Sequence, residues 1–188
     1  MNILEKEIIK NIEQLFKNYP ELINKGVKSE QNIFQKFQRR ILNKIPSWYN
    51  NFLNEYPISD LKIGIPFNYG WDTLKGKKQN ELPFMNTKFN RIEDIEFTAK
   101  EEFPGCELIK ANYICIAPND DNDGDGFYIN TVEKNPSVIY IYHDSGENAS
   151  ELIENGQIIS KSFSEFLTII RPTEFADKWL AENNHLWK

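Results

Sequence analysis

The chain has 188 residues, of which 40% are hydrophobic and 27% are charged, and its formal net charge is −6. This length and apolar content fit one domain with a real core, and an aromatic content of 13% argues against a disordered chain. Because an acidic protein repels nucleic acid and anionic membrane surfaces, we expect neither as a partner.

The first third of the chain is predicted to be helical. Apolar residues recur at helical spacing over Leu4–Phe16 and again over Ile33–Ile45. A third, short amphipathic helix is expected over Trp48–Tyr56, just after a proline that suits a first helical turn. We expect residues 1–44 to be a helical extension and residues 45–188 to be the main domain, the two forming one folded unit.

The pattern changes to alternation in the next segment. Apolar residues at every second position of Leu61–Phe67 predict a strand, and the glycine and proline within it favour a sheet edge. Asn68–Thr87 is polar and carries glycines and a proline, so we expect a long loop there. Arg91–Lys100 is predicted to be a helix, with its apolar residues on one side.

The clearest sheet signal follows. Three strands are predicted at Tyr113–Ala117, Phe127–Val132 and Val138–Tyr142, separated by short turn sequences. Short connections between consecutive strands indicate an antiparallel meander.

Two helices are predicted near the C-terminus. Ser162 and Glu165 have the spacing of a capping box, which predicts a helix from Ser162 to Ile170. Thr173 can cap a last helix beyond the Arg-Pro break. The whole pattern predicts an α+β fold: an antiparallel or mixed sheet meander flanked by helices, with an N-terminal helical extension.

The cysteines and the N-terminus bear on the compartment. Cys106 and Cys115 form neither a C-x-x-C pair nor a disulfide framework, and Cys115 lies in an apolar run typical of a buried core. The N-terminus mixes charged and apolar residues and lacks the apolar stretch of a signal peptide. No segment is apolar for long enough to span a bilayer. We therefore expect a cytoplasmic protein.

Three sets of segments, in this order, resemble one protein family. They are Ile45–Leu53, then Tyr113–Ala117 with Asp123–Ile129, then Val138–Asp144 with Ile159–Leu167. The first has an aliphatic residue and proline before a Phe-Leu pair. The second has a strand ending in alanine, an Asp-Gly turn and an aromatic strand. The third has a strand ending in His-Asp and a Ser-Phe-x-x-Phe-Leu helix.

These motifs resemble the SUKH superfamily, whose namesakes include the yeast cell-wall assembly regulator, over about Ile45 to Ile170. The two predicted N-terminal helices lie outside the match, and Tyr56-Pro57 replaces the usual glycine after the Phe-Leu helix. The resemblance implies an α+β domain that is not an enzyme. For bacterial members it implies immunity, in which the protein binds and neutralises a cognate polymorphic toxin, often a nuclease. We expect no cofactor, and the alternative is a regulatory scaffold or small-ligand binding module on the same fold.

An aspartate-rich run, Asn119–Gly126, is the most prominent local motif. Alternating aspartates suit the start of a calcium loop, but Val132 stands where the closing glutamate is needed and the flanks predict strands. A solvated hairpin tip is the favoured interpretation. A third interpretation is an acidic patch for a basic toxin. The candidate partner-binding aspartates are Asp120, Asp121, Asp123 and Asp125, of which Asp121, Asp123 and Asp125 are the alternative calcium ligands.

Other motifs give weak support for catalysis. His143-Asp144 could serve a metal-dependent phosphohydrolase, yet the one other histidine is His185, in the C-terminal tail. Lys75–Lys78 lacks the spaced glycines and the Ser/Thr of a phosphate loop. Cys106 follows Pro-Gly without a plausible base. We interpret His143-Asp144 as a strand-end histidine with a polar neighbour, and Lys75–Lys78 as a solvated loop.

Aromatic residues around the lysine-rich loop are further candidates for partner contacts. If exposed they would anchor an interface, and if folded back they would join the core. The candidates are Tyr69, Trp71 and Phe84. We expect one face of the sheet, with loops Tyr69–Phe84 and Asn119–Gly126, to form the docking surface, and the aspartates to steer a basic partner.

Overall fold

The elements form an α+β fold with two antiparallel sheets. The computed structural model describes residues 3–30, 45–70, 75–78, 81–119 and 124–183. Its helices are α1 Ile3–Asn18, α2 Ser47–Glu55, α3 Ile92–Glu101, α4 Gly105–Leu108, α5 Ala149–Glu154, α6 Phe163–Ile169 and α7 Thr173–Glu182. Its strands are β1 Lys62–Pro66, β2 Phe84–Lys88, β3 Tyr113–Pro118, β4 Gly126–Asn130, β5 Val138–Ile141 and β6 Gln157–Ser160.

The larger sheet has the order β3-β4-β5-β6, and every neighbouring pair is antiparallel. Ile129 of β4 illustrates the register of the sheet: it lies opposite Ile114 of β3 on one side and Val138 of β5 on the other. The predicted three-stranded meander is therefore confirmed. The fourth strand, β6, was not predicted, because four residues that pair only with β5 carry too short a pattern to be recognised locally.

The smaller sheet pairs β1 with β2, with Ile63 opposite Thr87. The predicted strand at Leu61–Phe67 is confirmed. The predicted loop Asn68–Thr87 is wrong at its C-terminal end, because that segment finds a partner in β1 and pairs as β2. An isolated bridge from Thr87 to Asn119 joins this hairpin to the larger sheet.

Both faces of the larger sheet are covered. On β4, Phe127 and Ile129 lie in the main core, whereas Tyr128 belongs to a second, smaller core on the opposite face. Every residue of β5 is buried. The predicted open sheet face is therefore wrong for these strands, because α1, α2 and α6 contribute to one core, and α4 and α5 to the other. The smaller core consists of Leu108, Cys115, Tyr128, Ile139, Ile141 and Leu152.

Helix α1 packs into the main core. Its residues Ile8, Ile12 and Leu15 are buried, and Asn11 Nδ2 donates a hydrogen bond of 2.7 Å to the carbonyl oxygen of Ser164 in α6. The predicted helix is thus confirmed, and its apolar stripe faces the same core as the sheet. The second predicted stripe, Ile33–Ile45, lies outside the described residues except for its last member, which is buried.

The helices near the C-terminus begin by different means. Ser162 Oγ accepts a hydrogen bond from the backbone N–H of Glu165, as expected for the start of α6. The Glu165 carboxylate accepts from the N–H of Lys161, so the reciprocal half of the capping box is displaced by one residue. Helix α7 starts differently from the prediction, because Thr173 is its first residue and Pro172 occupies the N-cap without a side-chain bond.

The expected helix at Arg91–Lys100 is confirmed as α3. The structure also confirms the burial of Cys115, and burial raises the pKa of its thiol to about 12. None of the helices in the described part of the chain is long and apolar enough to cross a membrane.

Candidate functional site

A row of aromatic side chains gathers residues from distant segments at one end of the larger sheet. Phe67, just after β1, packs against Tyr140 of β5 with ring centroids 4.7 Å apart. Tyr69 lies 4.8 Å from Phe67, and Tyr142 lies 4.9 Å from Tyr140. Because Phe67 and Tyr140 are fully buried, they hold the two outer tyrosines, which are half-buried, in fixed positions.

The two outer tyrosines share one electrostatic environment. Burial raises the pKa of Tyr69 to about 12, with a further contribution from Tyr142. The pKa of Tyr142 is also raised, first by burial and then by the negative charges of Asp125 and Asp144. Both phenols are therefore neutral at physiological pH and able to donate hydrogen bonds.

Asp125 is buried, with 7% of its surface exposed. Its Oδ1 accepts a hydrogen bond of 2.6 Å from the backbone N–H of His143, and His143 Nδ1 lies 2.8 Å from the same oxygen. The interpretation of this aspartate as an exposed, partner-steering charge is therefore wrong. The carboxylate instead ties the start of β4 to the end of β5, where the chain brings a backbone donor and an imidazole to it.

Both stems of the aspartate-rich segment are fixed by the fold. The N–H of Asn119 donates to the carbonyl of Asp125 over 2.8 Å, and Thr87 Oγ1 donates to the carbonyl of Pro118. Gly124 adopts a positive φ of 88°, and a side chain there would meet the carbonyl oxygen of Phe103 at 2.1 Å. The segment thus leaves and re-enters the sheet at defined points.

Other predicted partner residues lie elsewhere. Phe84 is 6% exposed and packs against Phe175 and Trp179 of α7, with ring centroids 5.4 and 6.4 Å away. Of the two alternatives predicted for Phe84, the structure therefore shows the folded-back one, because α7 covers this side chain. The predicted residues that lie outside the described ranges are Trp71, Asp120, Asp121 and Asp123.

The structure adds residues that the sequence did not assign to the docking surface. Tyr142, the half-buried His143 and the exposed Asp144 lie next to Asp125. The His-Asp pair is visible as a motif in the sequence, but only tertiary packing links its neighbour Tyr142 to Tyr69, through Tyr140 and Phe67. We call Tyr69, Tyr142, His143 and Asp144 the sheet-end surface.

The described polar groups at this end of the sheet can make hydrogen bonds and ionic contacts with another molecule. Among the described residues, no group of three or more His, Cys, Asp or Glu side chains could hold a metal ion. Of the three alternative calcium ligands only Asp125 is described, and its Oδ1 is engaged by His143. The pairing of His143 with Asp125 leaves this end with phenols, an imidazole and an exposed carboxylate suited to polar contacts.

No family model matches the chain, and neither a curated protein nor a solved structure matches it. The resemblance to the SUKH superfamily therefore stays a prediction from sequence motifs. The geometry of the sheet-end surface is the structural basis on which a function is proposed.

Proposed function

We propose that this chain is an immunity protein, a stoichiometric inhibitor that binds a bacterial toxin through the sheet-end surface. The observation that carries the proposal is the continuous row of rings in which the half-buried Tyr69 and Tyr142 pack on the buried Phe67 and Tyr140. Tyrosines offer large contact area together with a hydrogen-bonding hydroxyl, which is why they are frequent at the centres of interfaces.

Rigidity supports a docking role for this surface. Phe67 and Tyr140 lie in the main core, so the tyrosines that pack on them lose little freedom when a partner binds. The buried Asp125 carboxylate, which bonds to the backbone N–H of the half-buried His143, holds the neighbouring backbone in the same way. A surface ordered before binding avoids part of the entropic cost of association.

The charge of the chain favours a basic partner. The formal net charge is −6, and the aspartate-rich segment begins and ends beside the sheet-end surface. Toxins that act on nucleic acid present lysine and arginine to phosphate groups, and an acidic protein that covers those residues excludes the substrate. Opposite charges also accelerate encounter between the two proteins.

If a toxin gene lies beside the gene for this chain, co-expression of the two gene products tests the inhibitor role. We expect an equimolar complex, and we expect toxin activity to fall in proportion to the amount of this chain added, without turnover. Separate elution of the two proteins, or toxin activity that persists in excess inhibitor, would rule the role out.

The complex also tests the site. Replacing Asp144 by Asn is expected to slow association about threefold at low salt and to weaken its salt dependence, because a steering charge is lost. Glu21→Gln is the matched control, since it removes one exposed negative charge in the 3₁₀ turn Pro20–Asn24, outside the sheet-end surface. Equal association rates for the two variants would contradict docking at this surface.

A further inference from the structure

A groove of about 430 Å³ lies between α7 and the β1–β2 pair. Aromatic and apolar side chains form most of it, and two cationic side chains also contribute. The lining residues on which the inference depends are Pro66, Lys78, Phe84, Arg171, Phe175 and Trp179. We call this the α7 groove.

The aromatic part of the groove is ordered but incompletely covered. Phe84 lies beneath the two α7 aromatics in edge-to-face contacts, 5.4 Å from Phe175 and 6.4 Å from Trp179. Phe175 remains 46% exposed, and Trp179 is half-buried. An aromatic cluster of this kind at a surface is typical of a site that another molecule covers.

The charge in the groove is positive, although the chain as a whole is acidic. Arg171 Nη1 donates hydrogen bonds to the carbonyl oxygens of Thr168 at 2.9 Å and Ile170 at 2.7 Å, which fixes the guanidinium at the end of α6. Lys78 contributes a second cation from an exposed turn. No carboxylate is among the described residues that line the groove.

The carboxylates of α7 near this region are engaged by other residues. Glu174 forms an ion pair with Lys25, and Asp177 Oδ1 accepts a hydrogen bond of 3.1 Å from Asn86 Nδ2. Neither of these acids nor its bonding partner is among the residues that line the groove. Lys78 and Arg171 are the charged side chains among the described residues that line the groove.

We propose that the α7 groove docks an acidic peptide segment of a protein partner. An aromatic or branched side chain of the peptide packs against Phe175 and Trp179, and a neighbouring carboxylate pairs with Lys78 or Arg171. Because the groove is open on the side of the exposed Phe175, it suits an extended chain, whereas small-molecule sites enclose most of their ligand. The proposal rests on none of the residues of the sheet-end surface, so either can fail alone.

Selection from a random peptide library displayed on phage tests the proposal with the full-length chain. We expect enriched peptides to carry a phenylalanine, tryptophan or leucine flanked by aspartate or glutamate. A fluorescein-labelled peptide of the enriched sequence is then titrated against each variant, with fluorescence anisotropy as the readout.

Three substitutions give the test its specificity. Phe175→Ala is expected to weaken binding about tenfold, as for an anchoring contact, and Lys78→Gln about threefold with a smaller salt dependence. Phe97→Ala is the matched control, because Phe97 is 55% exposed on α3 and does not line the groove. Its affinity for the peptide should be that of the unchanged chain.

Several results would overturn the proposal. They are a selection that enriches no peptide, enriched peptides that lack acidic residues, and equal affinities for the Phe175→Ala and Phe97→Ala variants. Displacement of the peptide by 3-phenylpropionate at a concentration equal to that of the peptide would assign the groove to small organic acids instead. If the double variant Lys78→Gln/Arg171→Gln binds the peptide with the affinity of the unchanged chain, the charge pairing is refuted.

Discussion

Neighbouring acidic residues at the end of the sheet have opposite roles. Asp144 is exposed and available to a partner, whereas the carboxylate of Asp125 is buried against His143. In the sequence both belong to runs of polar residues and look alike. The difference arises because β4 starts where β5 ends, with Gly126 opposite Ile141, so that Asp125 meets the backbone of His143.

Asp125→Ala is therefore expected to destabilise the fold. The substitution leaves the partly buried N–H of His143 without its acceptor and removes a bond to a charged group, so the free energy of unfolding should fall by about 2 kcal/mol. Urea unfolding followed by circular dichroism measures the change. Asp144→Asn serves as the control and should stay within about 0.5 kcal/mol of the unchanged chain. Equal stability of the two variants would show that Asp125 does not hold this turn.

A tyrosine in the core has a buried hydroxyl group that lacks a hydrogen bond among the described residues. Tyr49 is fully buried, its Oη has no hydrogen-bond partner among the residues described, and burial raises its pKa. Tyr49→Phe should raise the free energy of unfolding by about 1 kcal/mol, because it removes a desolvated polar group and keeps the ring contacts.

Tyr128→Phe is the comparison, measured by the same urea titration. The Tyr128 hydroxyl donates a hydrogen bond of 3.2 Å to the carbonyl oxygen of Gly124, so its loss should lower the free energy of unfolding by about 1 kcal/mol. If Tyr49→Phe lowers the stability as much, its hydroxyl has a bonding partner after all.

At the scale of elements, the local sequence pattern predicts a helix or strand correctly where it agrees with tertiary packing. Alternation predicted β1 and the three strands of the meander, and the Ser162–Glu165 spacing predicted the start of α6. The sequence does not predict strand β6, because the strand is short and its two isoleucines are adjacent instead of alternating with polar residues. Ile159 is buried, whereas Ile158 points outward and is 67% exposed.

The candidate site is predictable only in part, because some of its contacts join segments that are far apart in the chain. The aspartate-rich run and the His-Asp motif are local signals, and the described Asp125 and His143 of these motifs lie together at the end of the sheet where the meander predicts them. The contact of Tyr69 with this end depends on the packing of Phe67 on Tyr140, and the burial of Phe84 depends on α7. Contacts between segments far apart in the chain have no local sequence pattern.

At the scale of the molecule, the first helix is part of the body that holds the sheet. A boundary between residues 44 and 45 suggests an appendage, yet Ile8, Ile12 and Leu15 share the main core with Phe163 of α6. Helix α1 thus closes the core on the side of α6. A helix of this kind is expected to unfold with the rest of the chain.

Ile12→Ala tests whether α1 belongs to one cooperative unit. Ile12 is fully buried, so its truncation should lower the free energy of unfolding of the entire chain by about 3 kcal/mol. Circular dichroism and tryptophan fluorescence should report one coincident transition, shifted to lower urea. Ile23→Ala, at a side chain that is 46% exposed, should leave the transition nearly unchanged. Separate transitions for helix and sheet signals would identify α1 as an appendage.

The two anchored stems of the aspartate-rich segment have an evolutionary consequence. The N–H of Asn119 bonds to the carbonyl of Asp125, and the Asp125 carboxylate bonds to His143, so the described residues on the two flanks of the segment are joined to each other and to the end of β5. Selection for folding should therefore act on Asp125, whose carboxylate ties the point where the segment re-enters the sheet to His143.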